Sequence, residues 1–265
     1  MTALALSPLA TLSRRRFQLA VRTPRELLVP LLTPIMFALV IAPSLKTALH
    51  TGTSYESYVA IGTIGLLVPL NTMFAGLGVI VDRESGAQRE LLAAPVPRAL
   101  LVLGNLLVAL ATTGLQIVVL IAIAAARGIE FHASTAGIVW FLAATALFTV
   151  GMYGAAEILA SRVPKQEEYI ARVPAIAILP WFLAGALFPI TALPHVLHWV
   201  ARFLPLTHAL ALMRYGLLGD PASLHNIWGI SSTSAMAALS VGVIALFALL
   251  LSVISIRVFT KAALR

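Results

Sequence analysis

The stretch SYVAIGTIGLLVPLNTMFAGLGVIV, residues 57–81, runs for 25 residues without Asp, Glu, Lys or Arg, and is followed at once by DRESGAQRELLAAPVPR, residues 82–98. A helix rises 1.5 Å per residue, so about 20 apolar residues cross the hydrocarbon of a bilayer. Lipid offers no hydrogen bonds to a bare backbone, which leaves a helix or a closed barrel as the spanning solutions. Barrel strands are segments of about ten residues with alternating polarity. Residues 57–81 are apolar on both alternations, so the stretch reads as a membrane-spanning helix that delivers a polar loop to one surface.

Working outward, uncharged runs recur along the whole chain and give six expected spans at about 27–45, 57–81, 99–126, 134–160, 173–189 and 232–256. The expected fold is therefore all-α and integral to the membrane, a single transmembrane domain over 1–265. Composition agrees. The chain is 60% hydrophobic and 11% charged, whereas soluble domains carry about 25% charged residues. The absence of cysteine excludes disulfides and thiolate metal sites. No internal repeat or low-complexity linker divides the chain.

The charge of +8 is distributed between the spans rather than in a nucleic-acid-binding patch, and nucleic acid is not an expected partner. Lys and Arg in short loops mark the cytoplasmic side. With the N-terminus inside, the inner segments hold Arg14, Arg15, Arg16, Arg22 and Arg25, then Arg83, Arg89 and Arg98, then Arg162, Lys165 and Arg172, and last Arg257, Lys261 and Arg265. Only Lys46, Arg127, Arg202 and Arg214 fall outside, completing the 18 basic residues. Both termini are expected in the cytoplasm and the protein in the plasma or inner cell membrane, touching anionic lipid. The arginines follow the first apolar stretch rather than precede it, unlike a cleaved signal peptide.

Four segments are not plain spans. Residues 8–25 mix arginines with Leu9, Leu12, Phe17 and Leu19 and read as an interfacial helix along the inner leaflet, although Arg16 falls on the apolar side of its wheel. Residues 82–95 are expected to form a short helix capped by Asp82 and stopped by Pro95 and Pro97. As far as charge goes, this is equally a solvated loop or a docking helix. Residues 161–172 form a second polar loop. Glu157 precedes it, roughly 35 Å along the helix from Ser134 at 1.5 Å per residue, hence at the interface. Residues 194–219 are cut by prolines into two short helices, His195–Leu204 and Thr207–Leu218, lengths that suit a re-entrant pair.

No G-x-x-x-x-G-K-[ST] phosphate loop, H-E-x-x-H zinc helix or G-x-S-x-G nucleophile elbow is present. No catalytic, cofactor-binding or metal-ligating residue is expected. His195 and His198 lie i, i+3 apart, but a metal needs three or four converging ligands, and wet interfacial histidines are the simpler reading. If ATP is used, ATP and magnesium belong to another chain. Asn71 and Gln116 are polar residues at mid-membrane depth, which bridge helices by hydrogen bonds or line a path. Gly76 and Gly78 permit close approach of another helix. Trp140, Trp181 and Trp199 serve as interfacial anchors or packing.

Two stretches carry a resemblance. DRESGAQRELLAAPVPRALLVLGN, residues 82–105, resembles the cytoplasmic loop of ABC type-2 permeases, with Asp82 where many members have Glu. PWFLAGALFPITALPHVLHWVARFLPLTHALALMRYGLLG, residues 180–219, resembles that family's late segment. RRRFQLAVRTPRELLVPLLTPIMF is similar to its connecting helix and first span. The likeness is nearest to the daunorubicin-resistance and nodulation lipooligosaccharide export permeases. The resemblance implies a half-transporter: an exporter subunit paired with a second permease, as homodimer or sister chain, and driven by a separate ATP-binding ATPase. It implies that 82–95 is the coupling helix, with Asp82, Arg83, Glu84, Arg89 and Glu90 as ATPase contacts. It further implies a substrate path along the second and fifth spans, here Asn71, Phe74, Phe182 and Phe188, whose apolar character favours a hydrophobic or amphiphilic substrate. A secondary transporter or channel without an ATPase is the alternative, and the near absence of ionisable residues within the spans weighs against it. A lipid-acting membrane enzyme would need a nucleophile or metal constellation that the sequence lacks.

Overall fold

The computed structural model describes residues 2–22, 24–36, 39–40, 44 and 53–262. Every long regular element among them is an α-helix: α1 Thr2–Arg22, α2 Pro24–Met36, α3 Thr53–Glu84, α4 Ala87–Ala93, α5 Arg98–Ala126, α6 Thr135–Arg162, α7 Gln166–Leu183, α8 His195–Phe203, α9 Pro205–Leu218, α10 Ala222–Trp228 and α11 Thr233–Ala262. A 3-10 turn, Ile190–Ala192, joins α7 to α8.

Four helices among the described residues, α3, α5, α6 and α11, are long and apolar enough to cross a membrane, or five spans if α8 and α9 count as one bent span. The described residues thus show four or five spans where six are expected. The first expected span, 27–45, is described as helix only to Met36, and most of its remainder lies outside the described residues. The fifth, 173–189, differs for a physical reason: α7 takes its first turns from the polar loop and ends at Leu183. The chain then turns through Gly185 at φ 77°, a left-handed conformation that costs glycine little. The helices α8 and α9 meet at 78°. Proline at 205 cannot donate a backbone hydrogen bond and disfavours helical geometry at the residue before it, and Leu204 is extended accordingly. The short helix α10 was not anticipated, since its residues belong to the long uncharged run that begins at Pro221.

Helix α6 is the hub, packed mainly on α11, α3 and α9. Small residues allow these approaches. A side chain at Gly154 would meet the backbone of Leu251, and Gly137 faces the carbonyl of Gly216. Without a hydrophobic drive between helices in lipid, such backbone-to-backbone contact is what holds a bundle. Helix α3 is the most enclosed of the long helices and α11 the least. Leu115 and Val118 of α5, Val139 and Leu142 of α6, and Leu246 and Leu249 of α11 are all exposed. An apolar surface of this extent suits lipid or protein cover rather than water.

Candidate functional site

One end of the bundle carries the basic helix α1, the 82–98 loop, the 163–165 loop and the end of α11; it is called the basic end below. Here α1 is clamped onto the last turn of α3. Asp82 accepts from Arg15 at 3.1 Å and lies 3.7 Å from Arg16. Arg16 also donates to the Ala75 carbonyl at 3.2 Å. Its guanidinium occupies the space where a side chain at residue 78 would be. Gly78 therefore serves not a helix backbone but the head of Arg16, the same arginine that breaks the amphipathic wheel of α1. Arg83 donates to the carbonyls of Ala160, Val163 and Pro164. These are orphan acceptors at the C-terminus of α6, where a cation is also favoured by the helix dipole.

Between α3 and α4 the chain reverses through Gly86, at φ 80°, which frees α4 to fold back. Leu91 and Leu92 of α4 pack on the core, and Gln88 and Leu91 line a cleft with Leu12, Arg15 and Asp82. The opposite side of α4 presents Arg89 and Glu90, both exposed, and neither side chain makes a hydrogen bond or ion pair among the described residues. Glu84, also exposed, accepts from Gln166 at 2.7 Å. Glu157, expected at the interface, is fully buried and accepts from the Tyr153 hydroxyl at 2.7 Å.

Farther along α3, Asn71 is buried and donates to the Thr112 and Thr113 hydroxyls of α5 at 3.3 and 2.6 Å. With Phe74, Arg16, Asn105 and Thr112 it lines a small cleft of about 30 Å³ between α1, α3 and α5. The cleft pairs amide, hydroxyl and guanidinium groups with apolar walls.

At the far end, Arg214 is buried and donates to the carbonyls of Gly185 and Ala186 at 2.9 and 3.1 Å. Its guanidinium lies 3.4 Å from the centroid of the Tyr58 ring, and the Tyr58 hydroxyl donates to Gly185 as well. The turn after α7 is thus tied to α3 and α9. His208 lies between the Ser240 hydroxyl and the Arg202 carbonyl, and His198 contacts the Ile190 carbonyl. No metal-holding group of three His, Cys, Asp or Glu occurs among the described residues.

Of the residues singled out in the sequence, Asn71 and Phe74 share one cleft, while Phe182 and Phe188 stand exposed at the far end. Asp82, Arg83 and Glu84 belong to the last turn of α3 rather than to the short helix, which begins only at Ala87. Asp82 and Arg83 are engaged within the chain. Sequence reasoning missed the Arg15–Arg16–Asp82 clamp and the Arg214 knot. The signals were an arginine on the wrong side of a wheel and an arginine inside an apolar helix.

A stretch of 40 residues is 52% identical to Nodulation protein J of Rhizobium leguminosarum bv. trifolii, covering 15% of this chain and 15% of that protein. Residues 8–218 match the family of the ABC-2 type transporter, well over half the chain and including the α1 clamp, α4 and the α8–α9 bend. The chain belongs to the ABC-2 type transporter family, and its several long apolar helices suit a multi-pass membrane protein.

Proposed function

We propose that this chain is the membrane-spanning half of an exporter that moves a hydrophobic or amphiphilic substrate (a drug, lipid or glycolipid) out of the cytoplasm or inner leaflet. A separate ATP-binding subunit drives it, and a second permease, identical or a sister chain, completes the path. Families of this type work with such an ATP-binding subunit. The basic end faces the cytoplasm of a cell or inner membrane, on the distribution of Lys and Arg.

One observation carries the reading: α4 is anchored on its apolar side and offers unpartnered charge on the other. Leu91 and Leu92 face the core while Arg89 and Glu90 face out. A subunit seated on Arg89 and Glu90, with Glu84 at its edge, would push on a helix joined to α3 by the Gly86 turn and to α5 by residues 94–97. Asp82 and Arg83 act one step behind that contact, as positioning residues that stiffen the base of α3. Motion at α4 would then shift α3 against α5 and change the cleft at Asn71 and Phe74. Transport requires only that the substrate bind differently in the two arrangements. Once that shift widens the cleft, an amphiphile would set its polar group on Asn71 and Asn105 and its apolar part on Phe74. Phe182 and Phe188 would meet it later.

The test uses inside-out vesicles holding the permease with its ATPase, and a fluorescent amphiphile. ATP should drive its accumulation, and Asn71→Leu should lower the rate about tenfold with the ATPase still bound. Accumulation driven by a proton gradient with no ATPase present would contradict the proposal.

A further inference from the structure

At the far end, an open cleft of about 190 Å³ lies between the turn after α7, α9 and α10. Two of its lining groups are buried polar atoms without partners: the Nε–H of Arg214 and the hydroxyl of Thr207, on residues that are each 3% exposed. Buried polar groups are nearly always hydrogen-bonded, because leaving one bare forfeits its hydration. Two bare donors in one cleft is the pattern of a site built for an acceptor that arrives from outside.

The charge points the same way. The partners of Arg214 are three neutral carbonyls, those of Tyr58, Gly185 and Ala186, and an aromatic face. Among the described residues it has no carboxylate within ion-pair distance. Asp220 shares the cleft and its charge reaches Arg214 from beyond ion-pair distance, while its two oxygens accept from the Ala222 N–H at 2.9 Å and the Ser223 hydroxyl at 3.3 Å. Helix-end carbonyls soften the desolvation of a buried cation but do not neutralise it. The chain spends a buried, fixed guanidinium here, and its Nε–H is left without a partner. Guanidinium favours planar oxyanions over other acceptors.

We propose that this cleft binds an oxyanion, a phosphate or carboxylate group, through the Arg214 Nε–H and the Thr207 hydroxyl. Ile190 and Pro189 give the cleft an apolar lip that suits an amphiphile's headgroup better than a free ion. Binding here needs no ATPase and does not depend on the transport reading.

The experiment titrates dodecyl phosphate, and in parallel inorganic phosphate, into the full chain in neutral maltoside micelles, purified with whatever chains accompany it. Dodecyl phosphate should bind saturably at one per chain. Thr207→Val should weaken it about tenfold and Thr207→Ser should restore it. The melting temperature of Thr207→Val should be unchanged or higher, since a bare hydroxyl is removed. Arg214→Lys, which keeps the charge but loses the Nε–H, should weaken binding too. Equal binding of inorganic phosphate with the same Thr207 dependence would assign the site to a free anion. Absence of saturable binding, or binding of both probes that Thr207→Val leaves unchanged, would overturn the proposal.

Discussion

The Asp82 carboxylate meets two arginines of α1 at once, and its side chain and that of Arg16 are each only 12% exposed. Removing one member of such a pair strands the others in a poorly solvated place. Asp82→Asn should cost about 1–3 kcal/mol of stability, less than for a fully buried pair because Arg15 is partly exposed. A double-mutant cycle with Arg16→Met, read by denaturation in micelles, should return a coupling of at least about 1 kcal/mol. Simple additivity would mean that the clamp holds nothing. Arg16 was visible in the sequence as an oddity of the wheel and Gly78 as a small residue, but not as each other's partners. Periodicity gives the face a residue occupies, never the helix it meets, and these two are separated by the whole of α2 and most of α3. Arg214 misled in the opposite direction. Counted among the outer loop charges, it is buried because backbone carbonyls and the Tyr58 ring hold it.

At the scale of elements, the four long helices were legible because each crosses in one unbroken apolar run. Helix α7 was not, since its start borrows polar residues and its end is set by the left-handed turn at Gly185. The α8–α9 bend was legible from Pro205, although its angle depends on packing. Packing between helices is carried by glycines, and two substitutions separate their roles. Gly154→Val would drive a side chain into the Leu251 backbone of α11 and should cost about 1–3 kcal/mol, as overpacking does. Gly114→Ala, with open space at that position, should be neutral or stabilising by up to about 1 kcal/mol, the helix preference of alanine. Melting temperatures of the two purified variants check the pair. A Gly154→Val protein as stable as the parent would mean that α6 and α11 do not meet as described.

Across the whole molecule, α3 links both ends. Its base holds Asp82 and Arg83, its middle holds Asn71, and its start meets Arg214 through Tyr58. A push on α4 therefore has a continuous, well-packed route along the bundle. What no run of apolar residues could disclose was which polar groups the chain satisfies internally and which it leaves exposed. Asp82 and Arg83 fall in the first class, Arg89 and Glu90 in the second. The central claim rests on that division. Its most direct test is affinity purification of the tagged chain from native membranes in mild detergent, comparing the parent with the Arg89→Glu, Glu90→Lys variant. The account predicts a stoichiometric ATPase subunit with the parent, lost from the variant, whose melting temperature stays the same because both side chains are exposed. An ATPase retained by the charge-reversed variant, or none with the parent in an intact membrane complex, would contradict it.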